Sequence, residues 1–434
     1  MDALKITYHL KRTIKNGLFL SILFASVSLF AENYAVKQNQ DSLYNAYTGV
    51  VTDQKSGEKL AFAHLSVVSS EISTVTNSEG KFLLKIPISM LEGNVEVRFM
   101  GYESVKIPIR SLNTQNNKIS LRQSGILLPE VKILPTDPTD LVRKMLGERE
   151  KNYSSKDMMM RAFYREIIRK KNTPVSISEA IVDVFKESYN NYQQDKVAIY
   201  KSRKSTDYSR LDTVVFKLMG GPFNTLFIDA MKYPEYFLNA NNLNDYTFQY
   251  QSNEQIDDRL IYVVSFKQNP DVKDPLPYGN LYIDAQTAAL VKADFDIDLQ
   301  QPEVAAMLFI RKKPFNARVF ATKAHYLITY HLMNNQWRYA YSRAELGLKI
   351  DWKRRFFNTY YNTTIEMAAT NWTENPDKKE FKSRTLIRPN VVLMDAISGF
   401  SDTDFWGENN IIEPEKSIEN AINKIQKQLK KMTK

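Results

Sequence analysis

The chain has no cysteine, and only 4 of its 434 residues are histidine. Without cysteine there are no disulfide bonds, thiol nucleophiles, thiolate zinc sites or iron–sulfur clusters. A lipid anchor on an N-terminal cysteine is excluded for the same reason. The few histidines also reduce the expectation of metal or acid–base chemistry that depends on imidazole.

Long apolar runs are absent after the N-terminus, where no stretch reaches the 18 residues expected of a membrane helix. Hydrophobic residues make up 43% of the chain and charged residues 25%, which is ordinary for a folded protein. A length of 434 residues predicts two or three domains with stable cores.

The N-terminus has the pattern of a secretory signal peptide over residues 1–31. Four basic residues precede an apolar run of 14 residues, 17–30, which is short for a membrane span. Cleavage after Ala31 is predicted, with Ser28 and Ala35 as rival positions, and an uncleaved signal anchor is the alternative. We therefore expect an exported protein.

Charge gives little reason to expect a nucleic-acid partner. The net charge of +10 falls to +7 without residues 1–31, which hold four bases and one acid. A nucleic-acid protein usually clusters its basic residues on one surface. The dense basic runs here are 165–171, 311–313, 353–355 and the last eleven residues, and we interpret them as solvated faces or turns.

Residues 47–122 alternate between apolar and polar positions in short stretches separated by turn residues, as in a β-sandwich. The segments 49–53, 57–63, 76–82 and 97–102 resemble the carboxypeptidase regulatory-like domain. That family implies a transthyretin-like sandwich of seven strands without catalytic activity. Gly80 and Gly101 would occupy turns, and Phe82 and Phe99 would fill the core.

The remaining chain predicts a second, larger unit after a polar linker at 32–46. Residues 123–157 would hold an edge strand at 127–133 and a helix that starts at Pro138, is capped by Asp137 and ends near Gly147 or Asn152. Residues 158–385 alternate as an antiparallel β-rich domain, with a helix at 303–311. Residues 386–434 form a loop extension and a terminal helix at 413–431.

The predicted fold class is therefore mainly β: a seven-stranded sandwich, then an α+β domain with a large curved antiparallel sheet and a C-terminal helix. In the terminal helix an apolar stripe of Ile418, Ile422, Ile425, Leu429 and Met432 would dock against the sheet, or the basic helix would contact a membrane surface.

Two further resemblances concern the larger unit. The segments 137–138, 152–153, 163–166, 178–180, 185–186, 279–284, 404–407 and 410–415 resemble Bacteroidota envelope proteins that carry the same regulatory-like domain. That group has no assigned activity, and the resemblance implies a protein of the Gram-negative envelope, in the periplasm or at the periplasmic face of the outer membrane. The strands 261–266 and 279–284 look like the curved half-barrel of lipoprotein-carrier proteins, which implies an apolar cavity.

Motifs for catalysis or metal binding are not apparent. His325 and His331 would share one face of a strand about 20 Å apart, while His64 sits in the sandwich, so we predict that they cannot chelate one ion. Gly220-Gly221 precedes a proline and is interpreted as a turn. Asp294, Asp296 and Asp298 share one side of a strand and predict either a weak cation site or ion pairs. We predict no catalytic residue, metal or cofactor, and expect no enzyme.

The best local clusters are aromatic and charged. Phe163, Tyr164, Arg165 and Glu166 follow one another on a strand, so Phe163 and Arg165 face one way and Tyr164 and Glu166 the other. Structural pairing is the favoured interpretation, and ligand contact is the alternative. Phe405 and Trp406, in a loop, would anchor the tail to the body or touch a partner.

Three functions remain open at this point. The first is a non-catalytic binding or assembly protein that docks through its sandwich and takes an envelope protein, glycan or lipid as partner. The second is a carrier of lipid or lipoprotein in an apolar half-barrel. The third is a hydrolase with paired carboxylates that no motif marks.

Overall fold

The computed structural model describes residues 43–125, 137–206, 217–218, 220–308, 310–312, 317–353, 357–374, 376–377, 381, 384–397 and 405–423. The predicted signal peptide, most of the linker, the edge strand at 127–133 and residues 424–431 of the predicted terminal helix lie outside this part. No helix of the described residues is both long and apolar enough to cross a membrane.

The N-terminal unit is a sandwich of seven strands, which confirms the predicted fold. One sheet has the order β4-β1-β7 and the other the order β3-β2-β5-β6. The strands are β1 (Tyr44–Asp53), β2 (His64–Val67), β3 (Ser73–Val75), β4 (Lys81–Pro87), β5 (Asn94–Arg98), β6 (Val105–Pro108) and β7 (Asn117–Leu121).

The core of the sandwich follows the predicted alternation. Phe82 is buried between the sheets, whereas Phe99 is only partly buried. Gly80 takes φ +70 in the predicted turn, and a Cβ there would meet the carbonyl oxygen of Val51 at 2.9 Å. The linker prediction was wrong at its end, because residues 44–46 already pair with β4 in strand β1.

The larger unit is built on one antiparallel sheet of twelve strands, which confirms the predicted fold class. Its order is β12-β14-β15-β16-β18-β19-β20-β8-β9-β10-β21, and β13 pairs with β14. The strands are β8 (Met158–Lys170), β9 (Thr173–Lys186), β10 (Lys196–Thr206), β12 (Tyr246–Tyr250), β13 (Glu254–Ile256), β14 (Arg259–Gln268), β15 (Pro277–Asp284), β16 (Leu290–Ile297), β18 (Ala317–Met333), β19 (Gln336–Trp352), β20 (Thr359–Glu374) and β21 (Leu386–Ile387).

Short elements complete this unit. The strands β11 (Lys217–Leu218) and β17 (Ile310–Lys312) pair with each other apart from the large sheet. The helices are α1 (Pro138–Gly147), α2 (Arg149–Asn152), α3 (Phe223–Leu226), α4 (Pro302–Met307), α5 (Leu393–Ala396) and α6, residues 416–423. In α1 the predicted cap is present, since an Asp137 carboxylate oxygen accepts a hydrogen bond from the Thr139 amide at 2.7 Å.

Two helix predictions were wrong in length. The predicted helix at 303–311 ends at Met307, because Ile310–Lys312 forms strand β17. The predicted helix at 413–431 begins at residue 416, and the Glu413 carbonyl instead accepts a hydrogen bond from the Asn77 side chain of the sandwich at 3.0 Å. Its first two stripe residues, Ile418 and Ile422, do pack against β8 and β9, as the docking alternative predicts.

The two faces of the large sheet pack against different partners. Tyr164 lies on the face that is covered by α1 and residues 223–243, which we call the helix face. Phe163 lies on the opposite face, which packs against the sandwich and residues 405–412, and we call this the sandwich face. Hydrogen bonds from Ser73 to the Ala369 carbonyl (3.0 Å) and from Thr74 to the Ile411 carbonyl (3.2 Å) tie β3 to these elements.

A buried ion network lies on the sandwich face. Arg165 donates to Glu179 at 2.7 Å and to Glu366 at 3.2 Å, and its third contact is the Ile412 carbonyl at 2.8 Å. Arg203 donates to the other oxygen of Glu179 at 2.6 Å, and Arg343 to Glu366 at 3.2 Å. Each charged side chain of this network therefore has a counter-charge, which is the condition under which burial is tolerated.

We expect Arg165→Met to lower the free energy of unfolding by about 3–5 kcal/mol, because two buried carboxylates would each lose a counter-charge. The matched control is Arg143→Met, which breaks the exposed pair with Asp140 and should cost less than about 1 kcal/mol. Urea unfolding of the three proteins measures both changes. Equal losses in the two variants would contradict a structural role for the network.

Candidate functional site

A cleft of about 480 Å³ opens between the sandwich and the large sheet. The sandwich contributes Phe62, Phe99 and Met100, and the sheet contributes side chains from β13, β16, β18 and β19. Its volume falls within the usual range for small-molecule sites, roughly 300–1,000 Å³. Because both units supply walls, the cleft exists only when they are packed together.

Two histidines meet at the inner end of this cleft. His64 starts β2 in the sandwich, and His331 lies near the end of β18 in the sheet. Their rings stack with centroids 4.3 Å apart and an interplanar angle of 26°. His64 does lie in the sandwich, as predicted, and its contact with His331 across the junction was not anticipated.

Arg98 of β5 holds the histidine pair from the sandwich side. One guanidinium nitrogen lies 3.4 Å from His331 Nε2, and the same side chain is ion-paired with Glu96 at 2.7 Å and with Asp257 at 3.3 Å. Asp257 follows β13 of the large sheet, so the ion pair also crosses the junction.

Burial and nearby charge keep both imidazoles neutral. Loss of hydration, aided by the Arg98 charge, lowers the pKa of His64 to about 4. Loss of hydration also lowers the pKa of His331, and the neighbouring His64, Arg98 and Arg338 act in the same direction. A neutral imidazole keeps one donor and one acceptor nitrogen, so the pair can bind polar groups of either kind.

Four buried polar atoms of residues that line the cleft have no hydrogen-bond partner among the described residues. Nε of Arg98 and Oδ1 of Asp257 belong to side chains that are ion-paired with each other, and the other two are Nδ1 of His64 and Nε1 of Trp337. Buried polar atoms in folded proteins are rarely unpaired, and each exception calls for a water, an ion or a ligand. The cleft therefore combines aromatic and aliphatic side chains with charged ones, and the two neutral rings of His64 and Trp337 each offer a polar atom for a bound molecule.

The aspartate row lies at the rim of the cleft. His325 sits between Asp294 (3.6 Å) and Asp296 (3.4 Å), and Lys292 lies 3.3 Å from Asp294. These contacts fit the ion-pair alternative of the sequence analysis. Within the described ranges, no group of three or more His, Asp or Glu side chains is arranged to hold a metal ion.

The structure places the predicted cluster away from the cleft and splits it between the two faces. Phe163 packs edge-on against Trp406 at 5.6 Å, and Phe405 lies against Trp406 at 4.8 Å. Trp406 also lies 4.9 Å from the Arg203 guanidinium. Together with Arg165 these side chains hold the segment 405–412 on the sandwich face, in line with the anchoring interpretation.

Tyr164 and Glu166 face the other way, also as predicted. The Tyr164 hydroxyl donates to Glu166 at 3.1 Å and is the only partner of that carboxylate among the described residues. Burial raises the pKa of Glu166 to about 7, and the Tyr164 hydrogen bond offsets only part of this rise. This pair is buried beneath α-helical and loop segments on the helix face and does not line the cleft.

The sequence carried no signal for the histidine pair. His64 and His331 are separated by most of the chain, and their contact depends on how two units dock. From the sequence, Trp337 could not be distinguished from a tryptophan of the core. An apolar position of a strand has the same alternating pattern whether it faces a core or a cleft.

One comparison with known proteins concerns the N-terminal unit. The CarboxypepD_reg-like domain family matches residues 47–133. This chain carries a carboxypeptidase regulatory-like domain. No curated protein matches the chain.

Two solved structures resemble part of the fold. One is a DUF1329 family protein from Desulfovibrio piger, with 12% identity over 57% of this chain and 98% of that protein, and a TM-score of 0.23. The other is a LolA superfamily protein from Nitrosomonas europaea, with 10% identity over 57% of this chain and 98% of that protein, and a TM-score of 0.21. TM-scores this low carry no argument about function.

The histidine pair predicts a pH dependence of stability. The folded pKa of His64, about 4, lies below its usual value of 6.5, so the unfolded chain binds a proton first as the pH falls. The contribution of neutral His64 to the free energy of unfolding is therefore complete above about pH 6.5 and is lost as the pH falls from 6.5 to 4. The variant His64→Phe keeps a flat ring against His331 but cannot bind a proton there. Between pH 7 and pH 5 we expect its free energy of unfolding to fall by about 2 kcal/mol less than that of wild type.

Urea unfolding at the two pH values measures this difference, since carboxylates elsewhere contribute equally to both proteins. The same loss of stability in wild type and variant would contradict a neutral, buried His64.

Proposed function

We propose that this chain is a non-catalytic binding protein of the Gram-negative cell envelope, and that the cleft between its two units takes a small molecule with an apolar body and a polar group. The Nδ1 of His64 and Nε1 of Trp337, which have no hydrogen-bond partner among the described residues and lie in a wall that also holds Phe62, Phe99 and Leu332, carry this proposal. The regulatory-like sandwich acts as a docking module that supplies one wall. The signal-peptide pattern at residues 1–31 supports the envelope location.

The second proposal is a carrier of lipid or lipoprotein that binds its cargo in the cleft and not in a half-barrel. A half-barrel carrier needs an open apolar sheet face. Here Phe223, Leu226, Met231, Phe237 and Leu238 pack on the helix face and are buried there. The apolar side chains of the cleft, including Phe99 and Leu332, give an acyl chain its other place to bind.

The hydrolase receives less support from the geometry of the cleft. A carboxylate mechanism needs one acid and one base beside the reacting bond. Asp257 is ion-paired with Arg98, and Asp294 with Lys292. Two of the three carboxylates that line the cleft thus already have cationic partners, and the third belongs to Glu254.

Native mass spectrometry of the protein, purified gently from its own envelope, tests the proposal. We expect a reproducible adduct in wild type that is absent from Ala61→Trp, because the indole would fill the cleft that Ala61 lines. The control is Ala396→Trp, which places the same ring at an exposed position of α5 outside the cleft and should keep the adduct.

An adduct of lipid mass, lost on organic extraction, favours the carrier, and a smaller polar adduct favours the first proposal. An adduct that persists in Ala61→Trp, or a bare protein mass in all three proteins, contradicts binding in the cleft.

A further inference from the structure

A lysine on the helix face is buried between two aspartates. Lys186 is the last residue of β9, and its Nζ lies 2.8 Å from Oδ2 of Asp195 and 2.8 Å from Oδ2 of Asp229. Asp195 lies in the loop just before β10, and Asp229 belongs to the segment 223–243 that covers this face. The three side chains, which we call the lysine triad, therefore join the cover to the sheet.

Water has almost no access to the lysine triad. Lys186 and Asp195 are each 2% exposed, and Asp229 is 0% exposed. Three tyrosine rings surround the amine with centroids 5.3–5.9 Å from Nζ, and they are those of Tyr189, Tyr233 and Tyr339. In surroundings of this kind charged groups are costly, which favours neutral forms of an amine and a carboxyl group.

Asp195 is placed to take a proton from the amine. The two carboxylates outweigh the effect of burial and raise the pKa of Lys186, so its proton has to leave before the amine can react. Burial raises the pKa of Asp195, and the Lys186 charge offsets this only in part. Its other oxygen, Oδ1, accepts a hydrogen bond from the Glu187 amide at 3.0 Å, which holds Oδ2 against Nζ. A carboxyl group so placed can accept a proton and return it.

Asp229 is placed to be attacked. Its Oδ1 accepts a hydrogen bond from the Tyr330 hydroxyl at 2.8 Å, and its Oδ2 accepts one from the Tyr189 hydroxyl at 2.7 Å. Donors on both oxygens stabilise the negative charge that develops when a nucleophile adds to the carbon. A carbon–oxygen bond is about 1.2 Å long, so Cγ of Asp229 lies no more than about 4 Å from Nζ of Lys186.

We propose that Lys186 and Asp229 form an intramolecular isopeptide bond, with Asp195 as the catalytic proton relay. One proton of the ammonium passes to Asp195, and the neutral amine attacks Cγ of Asp229. The C–N bond forms, a C–O bond breaks, and the oxygen leaves as water with two of the three ammonium protons, one of them relayed by Asp195. Ammonium and carboxylate thus become an amide and one water, and no oxidant or second reactant is needed.

A small cavity beside the lysine triad can receive the released water. Its volume is about 10 Å³, and it is lined by Lys186 and Tyr189 together with Ser154 and Trp372. A cavity of this size holds about one water molecule, and the Ser154 hydroxyl gives it a polar wall. Because bulk water is excluded, the amide is protected from hydrolysis once it has formed.

The second carboxylate distinguishes the lysine triad from an ordinary buried ion pair. One carboxylate is enough to pair with Lys186, and burying another costs free energy. A nucleophile, an electrophile with a donor on each oxygen, and a proton relay are the parts that amide formation requires. The bond would link positions 43 residues apart and fix the cover to β9. The inference does not depend on the cleft, which none of these three residues lines.

Peptide mapping of the full chain by mass spectrometry tests the proposal. Trypsin cuts after lysine and arginine, so an unmodified chain gives the separate peptides 172–186, 187–196 and 218–232. The bond blocks cleavage after Lys186, and we expect one species in which 172–196 is joined to 218–232. Its mass should be the sum of these two peptides less one water, and fragmentation should place the branch at Lys186 and Asp229.

Three variants separate the roles of the residues, and thermal unfolding checks that each one folds. Asp195→Ala removes the relay, and we expect 218–232 to be released unlinked. Asp229→Asn keeps a carbonyl whose leaving group is ammonia, and we expect the same linked species as in wild type. The control is Lys196→Arg, which keeps the trypsin site and alters the neighbouring ion pair with Glu187, and it should leave the link intact.

The proposal is overturned if wild type gives only the separate peptides, or if the water is lost within 172–196 through a link to Asp195. A folded Asp195→Ala that is linked as completely as wild type contradicts the relay. Should Asp195→Ala not fold, Asp229→Asn decides, because a folded Asp229→Asn without the link contradicts attack at this carbon.

Discussion

The buried Arg165 network is the interaction on which the arrangement of this protein depends. Arg165 joins β8 to β9 through Glu179 and to β20 through Glu366, and it holds the segment 405–412 through the Ile412 carbonyl. Removing water from these charges is costly, so they persist only while all partners are in place. The network thereby holds β9 and β20 beside β8 and holds the segment 405–412 on the sheet. The sandwich packs on the surface that these elements form.

Much of this fold follows from periodicity in the sequence. The antiparallel β-rich domain expected at 158–385 contains the long strands β18, β19 and β20, because alternation with period two continues along each of them. Short strands were missed. The strand β17 lies where the end of a helix was predicted, because a strand of three residues is too short to leave a periodic signal. The pairing of β20 with β8 could not be predicted, because no local pattern specifies distant neighbours.

The candidate site was less predictable than the fold for the same reason. The cluster 163–166 was assigned correctly to two opposite faces, because that assignment needs only the geometry of one strand. The cleft needs a docking geometry, and its histidines belong to different units. The patterns in a single sequence predict the strands of each unit, but they do not predict how the two units dock and form the cleft.

The pairing of β20 with β8 has a consequence for how the protein comes to be folded. Its partners Arg165 and Glu366 are 201 residues apart, and contacts of such long range form slowly. During synthesis the hairpin of β8 and β9 keeps one edge unpaired until the residues of β20, which begins at 359, have been made. An open edge of this kind invites pairing with other chains, so the early chain needs a chaperone or rapid completion more than the finished protein does.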